Sequence, residues 1–165
     1  MHPKDVGVQI ALCCAALCLL VSTARSADAI VDGYKCSRLT SYFYGEPLKT
    51  RLAKFSDADL EKQFAIYICG NQYLEPPAMY FAMPFAREGH RAANFLRTKL
   101  AQTTDDGTIR DIIMVFSEMQ RQGTYPVASD RELIQLIHSS VARIKDATWR
   151  QFAERKVTEI TEPSR

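Results

Sequence analysis

Apolar side chains recur at helical intervals along most of this chain, and this repeat constrains the fold more than any other feature. Between Ile109 and Met119, large apolar residues lie three or four positions apart, and Gly123 follows as a residue that commonly ends helices. Similar stripes occur at 60–68, 93–100, 133–144 and 149–160. Alternating apolar and polar residues, which are typical of strands, are scarce. The sequence therefore predicts an all-α fold.

Capping and helix-breaking residues predict where the first helices begin and end. Pro47 suits the first turn of a helix that reaches about Phe55. Ser56 and Asp59 have the spacing of a capping box for the next helix. We expect Gly70-Asn71 to end that helix, because glycine is unfavourable in the interior of a helix.

The second half of the chain has similar residues at the predicted beginnings and ends of its helices. A helix is predicted to begin at Pro76-Pro77, and Pro84 should kink or split it, since proline lacks one backbone donor. The later helices are predicted at 90–101, at 109–122, from a Ser129 and Glu132 capping box to 144, and from an Asp146 cap to Pro163.

Short loops between these helices imply antiparallel neighbours. Residues 77–101 make one helix–turn–helix unit, residues 105–145 make a longer one, and 147–160 make half a unit. This arrangement resembles HEAT-like or armadillo-like α-helical repeats over the C-terminal half of the chain. The resemblance implies hairpins that bury their apolar faces by stacking, and it implies no functional residue. The expected fold is all-α, with antiparallel helix hairpins in an irregular bundle or a short α-solenoid.

The N-terminus has the organisation of a secretory signal peptide. Lys4 precedes an apolar run over residues 8–21, and the small residues Ala27-Asp28-Ala29 suit cleavage. The run of about 14 residues is shorter than the roughly 20 that span a bilayer as a helix, which favours a cleaved peptide. Cleavage after Ser22-Thr23-Ala24 and an uncleaved anchor are the alternatives. We therefore expect a signal peptide at 1–29, one helical domain at 30–165, and a periplasmic or extracellular location.

Removal of this segment leaves two cysteines, Cys36 and Cys69. In an oxidising compartment, two cysteines favour one disulfide, which would stabilise the fold by roughly 3 to 4 kcal/mol. Two buried free thiols are the alternative. The histidines His90 and His138 stand alone without ligand spacing, so neither a metal site nor a cofactor is predicted.

Motifs for catalysis and for nucleic-acid binding are missing from the sequence. It contains no nucleophile elbow, P-loop, dinucleotide fingerprint or zinc-protease motif, and no catalytic residue is predicted. Asp105-Asp106-Gly107 fits a turn that opens a helix better than a cation loop. Basic and acidic residues are interspersed and leave a net charge of +2, which argues against a nucleic-acid partner. The acids nearest aromatic stretches, expected to be solvated or at helix ends, are Glu75, Glu88 and Glu118.

Tyrosines are concentrated in the first half of the expected mature chain. Tyrosine joins a large apolar ring to a polar group and is common at recognition surfaces. The predicted contact patch comprises Tyr42, Phe43, Tyr44 and Tyr73. The alternative is that these rings pack the disulfide-linked N-terminal layer onto the other helices.

Two hypotheses of function follow from these patterns. The first is an exported binding or scaffold module with a protein partner and, after signal cleavage, no contact with a membrane. The second is a small exported enzyme or ligand-binding protein whose site forms between helices.

Overall fold

The computed structural model describes residues 30–162, and the predicted signal peptide at 1–29 lies outside them. In the described residues the regular structure is helical apart from one small hairpin, in which β1 (Ile30–Val31) pairs antiparallel with β2 (Tyr34–Lys35). The all-α prediction is therefore confirmed. In chain order, the α-helices are α1 (Cys36–Tyr44), α2 (Leu48–Ser56), α3 (Leu60–Tyr73), α4 (Ala82–Ala86), α5 (His90–Gln102), α6 (Asp106–Gln122), α7 (Arg131–Arg143) and α8 (Ala147–Thr161).

The predicted disulfide joins α1 to α3. Cys36 and Cys69 are bonded with an S–S distance of 2.02 Å, and both residues are fully buried. The pairing is confirmed, and the alternative of two free thiols is wrong. The bond holds the first turn of α1 against the last turns of α3.

Helix α3 differs from its predicted bounds at both ends. Asp59, rather than Ser56, caps it by accepting the backbone N–H of Lys62 at 2.8 Å, while Ser56 ends α2. The helix then continues through Gly70 to Tyr73. A Cβ atom at Gly70 would lie only 1.9 Å from the hydroxyl oxygen of Tyr44, so this glycine allows a close approach. The predicted stop at Gly70-Asn71 is wrong.

The segment after Pro77 is less helical than predicted. A single 3-10 turn at Met79–Phe81 leads into the five-residue α4, and Pro84 lies inside that short helix. The predicted apolar face is buried nevertheless, including Phe81 and Phe85. Helix α7 also starts differently, because Asp130 rather than Ser129 accepts the N–H of Leu133, at 3.0 Å.

Helix α6 is the centre of an irregular bundle, and it packs against α3, α4 and α8. Asp106 and Ser117 of α6 contact Asp146 and Glu159 respectively, so α6 and α8 are parallel. Tyr67 and Gln72 of α3 contact Asp111 and Thr108 of α6 respectively, so α3 is antiparallel to α6. The C-terminal end of α3 therefore meets the N-terminal ends of α6 and α8.

No helix within residues 30–162 combines the length and the apolar character that crossing a bilayer requires.

Candidate functional site

The predicted contact patch does not form one surface. Tyr42 is 78% exposed, whereas Phe43 is 5% exposed and packs on Phe81 with ring centroids 5.6 Å apart. Tyr44 is half-buried, and its hydroxyl donates to the backbone carbonyl of Ile66 at 2.9 Å. Tyr73 is exposed at the end of α3. Tyr42 and Tyr73 are thus available for contacts, while Phe43 and Tyr44 mainly pack α1 onto its neighbours.

Helix α2 is attached to the bundle by little of its surface. Phe55 is its one buried residue, and Leu48 is 49% exposed. On one side of α2 lies an open groove of about 270 Å³ in which Tyr80 and Met83 are also exposed. We call it the apolar groove, and it is lined by Leu48, Leu52, Ser56, Tyr80, Met83, Pro84 and Arg87.

Arg51 links the apolar groove to the aromatic layer beneath it. Its guanidinium carbon lies 5.5 Å from the ring centroid of Tyr44 and 5.8 Å from that of Tyr80. Its Nη1 donates to the Tyr80 hydroxyl at 2.6 Å, whereas its Nε is buried without a hydrogen-bond partner. The groove therefore has an apolar floor and a cation held beside it.

A second open groove, of about 350 Å³, lies on the other side of α2 between α1 and α3. Tyr42 forms part of its wall, with the Nζ of Lys54 5.6 Å from its ring centroid. We call this the Tyr42 groove, and its other lining residues are Leu39, Phe43, Asp57, Ala58, Lys62 and Ile66. The name α2 face is used for helix α2 together with the apolar groove and the Tyr42 groove.

The meeting point of α3, α6 and α8 forms a third concavity, of about 470 Å³, with a more polar lining. We call it the polar pocket. Its polar and aromatic lining residues are Asn71, Gln72, Glu75, Asp105, Asp106, Arg110, Asp146 and Trp149.

A buried ion pair lies at the base of the polar pocket. Arg110 donates from Nε at 2.8 Å and from Nη2 at 2.6 Å to one carboxylate oxygen of Asp111, and Gln72 donates to the other oxygen at 3.3 Å. Burial raises the pKa of Asp111 to about 6, although Arg110 opposes this shift. The guanidinium carbon of Arg110 also lies 4.1 Å from the ring centroid of Trp149. The positive charge of Arg110 and the negative charge of Asp111 nearly cancel, and these hydrogen bonds hold both side chains in place.

Asn71 is the polar residue of the pocket whose hydrogen bonds are incomplete. It is 4% exposed, and neither its amide oxygen nor its amide nitrogen has a partner with hydrogen-bond geometry. The amide nevertheless lies close enough to the Tyr67 hydroxyl and to the Asp111 carboxylate to oppose the rise in pKa that burial causes in each group. Buried polar side chains are nearly always hydrogen-bonded, and these two groups are the partners beside this amide.

Four carboxylates surround the polar pocket. Asp105 accepts the N–H of Thr108 at 2.7 Å, and Asp146 accepts the N–H of Trp149 at 2.8 Å, so each caps a helix. Asp106 accepts the backbone N–H of Asp146 at 2.8 Å and that of its preceding neighbour, and it connects α6 to α8. Glu75 is exposed and forms no hydrogen bond or ion pair within residues 30–162.

No protein family, characterised protein or solved structure matches this chain. The resemblance to HEAT-like repeats therefore gains no support from comparison.

The other candidates from the sequence have structural partners. Glu88 pairs with Arg91 at 3.2 Å, and Glu118 pairs with Arg121 at 2.6 Å. His90 is exposed, with its ring centroid 4.8 Å from that of Tyr125. These residues do not converge on a site.

Sequence reasoning did not identify the base of the polar pocket. A signal was present, because Arg110-Asp111 places two charges between Ile109 and Ile112, which belong to the regular apolar stripe of α6. Two buried charges in such a stripe indicate either a structural ion pair or a site. Asn71 gave no comparable signal, since it follows Gly70 and fits a helix end.

Proposed function

We propose that this chain is exported and binds a protein partner through its α2 face. The observation that carries the proposal is the weak attachment of α2, which leaves Leu48, Tyr80 and Met83 exposed along one groove. Monomeric proteins expose single apolar residues commonly, but apolar residues grouped in a concave surface indicate an interaction site. Tyrosine, methionine and arginine are also enriched at protein interfaces.

The charges on the α2 face indicate the charge that a complementary partner surface would have. Glu46 is paired with Lys54 at 2.8 Å, and Asp57 is the acid that lines a groove on this face. The basic residues are more numerous and are Lys49, Arg51, Lys54, Lys62 and Arg87. A partner segment with an apolar side chain for the groove and carboxylates beside it would be complementary.

Export is supported by two independent features. Residues 1–29 have signal-peptide organisation, and disulfides such as Cys36–Cys69 persist mainly in oxidising compartments. The proposed partner is therefore another envelope or extracellular protein.

Cross-linking in the native host, followed by affinity purification and quantitative mass spectrometry, tests this proposal. Leu48→Glu and Met83→Glu place a charge in the apolar groove, and we expect each to reduce recovery of the partner at least about tenfold. Ala142→Glu makes the same kind of change at an exposed position of α7 and should leave recovery unchanged. Far-UV circular dichroism of each variant checks that the fold is retained.

Tyr42→Ala tests the other groove separately, because Tyr42 can be truncated without opening the core. We expect a smaller loss of partner, of about threefold to tenfold. Equal recovery of one partner by wild type and both glutamate variants, or reproducible purification of the protein alone, would remove the α2 face from consideration.

A further inference from the structure

The walls of the apolar groove are two helical stripes. One wall follows α2, and its residues, four positions apart, are Leu48, Leu52 and Ser56. The other wall follows the 3-10 turn and α4, from Tyr80 through Met83 and Pro84 to Arg87. At 1.5 Å per residue, each wall is about 10 to 12 Å long, which corresponds to two turns of a helix. A guest helix can pack between two such walls, whereas an extended segment has no strand edge there to pair with.

The two walls run in the same direction. Arg51 meets the start of the second wall, where its Nη1 donates to the Tyr80 hydroxyl at 2.6 Å. One turn further along α2, the ring of Phe55 meets that of Phe85, with 5.9 Å between the centroids. The groove therefore has one end at Arg51 and Tyr80, and Arg87 lies at its other end.

Both ends of the apolar groove are positively charged. Arg87 is exposed and forms no hydrogen bond or ion pair within residues 30–162. Arg51 has no acidic partner in the same residues, and the Tyr80 hydroxyl that accepts from it keeps its own hydrogen free to donate. The lining described for this groove includes no aspartate or glutamate. Each end thus presents donors to a carboxylate, with no acid of the lining competing for them.

The spacing of these ends indicates the pattern of the guest helix. Leu52 and Met83 supply apolar surface between the ends, and Tyr80 and Arg87 are seven residues apart, about 10 Å along the wall. On a guest helix, positions i and i+7 are separated by the same distance on one face, and positions i+3 and i+4 lie between them. Carboxylates at i and i+7 with apolar residues at i+3 and i+4 would therefore match the groove in charge and in shape.

We propose that the partner enters the apolar groove with an amphipathic helix that carries apolar residues between two carboxylates seven positions apart. One carboxylate accepts from Tyr80 beside Arg51, and the other pairs with Arg87. This inference rests on the proposed binding of a protein partner by the α2 face, and it specifies the segment that the partner contributes.

Synthetic peptides test the inference before the partner is known. The probe is an alanine-rich peptide of about 15 residues with two glutamates seven positions apart and two leucines midway between them, held helical by a hydrocarbon staple on its opposite face. In an NMR titration of the mature chain with its disulfide intact, we expect it to shift the amides of Leu52, Met83 and Arg87 with a dissociation constant of about 0.5 mM or lower. A peptide of the same composition, with one glutamate moved to the opposite face, should bind about threefold to fivefold more weakly.

Charge reversal distinguishes a contact with the guest helix from a structural role. Arg87→Glu should weaken binding of the probe about tenfold, and a peptide with lysine in place of one glutamate should bind this variant more tightly than it binds wild type. Tyr80→Phe keeps the ring and should weaken binding of the probe about threefold. Arg131→Glu makes the same charge change at an exposed position of α7 and should alter the affinity by less than about twofold.

Comparison with the native partner separates this inference from the proposed function. If Leu48→Glu and Met83→Glu lose the partner while Arg87→Glu retains it, the partner uses the groove without the proposed helix, and this inference alone fails. If all three variants recover the partner at the wild-type level, both fail.

The peptides can also refute the inference directly. Equal binding of both glutamate arrangements, or absence of shifts at about 5 mM probe, would overturn it. In the second case, sedimentation of wild type but not of Arg87→Glu with phosphatidylglycerol vesicles would assign these basic groups to an anionic membrane instead.

Discussion

Gly70→Ala should destabilise this protein even though alanine is the better helix former. In the interior of a helix, this change normally gains about 1 kcal/mol. Here the new Cβ would lie 1.9 Å from the Tyr44 hydroxyl oxygen, 2.6 Å from its ring carbon Cζ and 2.8 Å from the Cβ of Ala78. Real Cβ atoms do not tolerate such contacts, so the ring of Tyr44 must move.

The magnitude follows from three contributions. Overpacking costs about 1 to 3 kcal/mol, and displacement of Tyr44 also loses its hydrogen bond to Ile66, worth about 1 kcal/mol. Subtracting the gain in helix propensity, of about 1 kcal/mol, leaves a loss of about 2 kcal/mol. In a Tyr44→Ala background the largest clash is gone, so the same change should alter stability by less than about 1 kcal/mol.

Urea unfolding followed by circular dichroism at 222 nm gives the four free energies of this double-mutant cycle. Gly45→Ala is the matched control, since a Cβ there meets only a carbonyl oxygen at 3.4 Å, and we expect it to change stability by less than about 0.5 kcal/mol. If Gly70→Ala is as stable as wild type, or costs the same in both backgrounds, the close approach of α1 to α3 is not what requires this glycine.

Three further predictions concern covalent, titratable and capping groups. Cys36→Ala with Cys69→Ala should lower the free energy of unfolding by about 4 kcal/mol, since the bond closes a 33-residue separation, and reduced wild type should match this variant in urea unfolding. A change below about 1 kcal/mol would contradict it. Burial raises the pKa of Asp111 from 3.8 to about 6, so the folded state keeps its proton to a higher pH than the unfolded state. Wild type should therefore gain about 2 to 3 kcal/mol relative to Asp111→Asn as the pH falls from 7 to 4, and a constant difference in urea unfolding across this range would refute the assignment. Asp130→Ala removes the cap at Leu133 and the ion pair with Arg97, and should lower stability by about 1 to 2 kcal/mol. Asp130→Asn keeps a capping side chain and should lose about half as much, whereas equal losses in thermal unfolding would mean that the cap contributes little.

The helices were predictable because their apolar stripes and their ends agree. Helix α5 was expected at 90–101 and lies at His90–Gln102. Gly123 ends α6 as predicted, and the structure shows it in the left-handed conformation. Two of the errors, at the first turns of α3 and α7, occurred where two residues compete for one role. Asp59 and Asp130 cap helices that were assigned to Ser56 and Ser129, and all four are acceptable caps by sequence.

The candidate sites were less predictable, for a physical reason. Tyrosine suits both a core margin and a recognition surface, so the sequence could not separate exposed Tyr42 from Tyr44, whose hydroxyl is committed to Ile66. The polar pocket combines residues from 71 to 149, which come together only because α6 and α8 run parallel. Local patterns contain no information on that pairing.

The disulfide has a consequence for the helix that we propose contacts the partner. Residues 37–68 form a covalent ring closed by Cys36 and Cys69, and α2 lies within it. A single cut by a protease in the loop at residues 45–47 would open this ring but release no fragment, because the bond still joins both sides. Helix α2 would become a flap held at one end, on a molecule that stays in one piece until it is reduced.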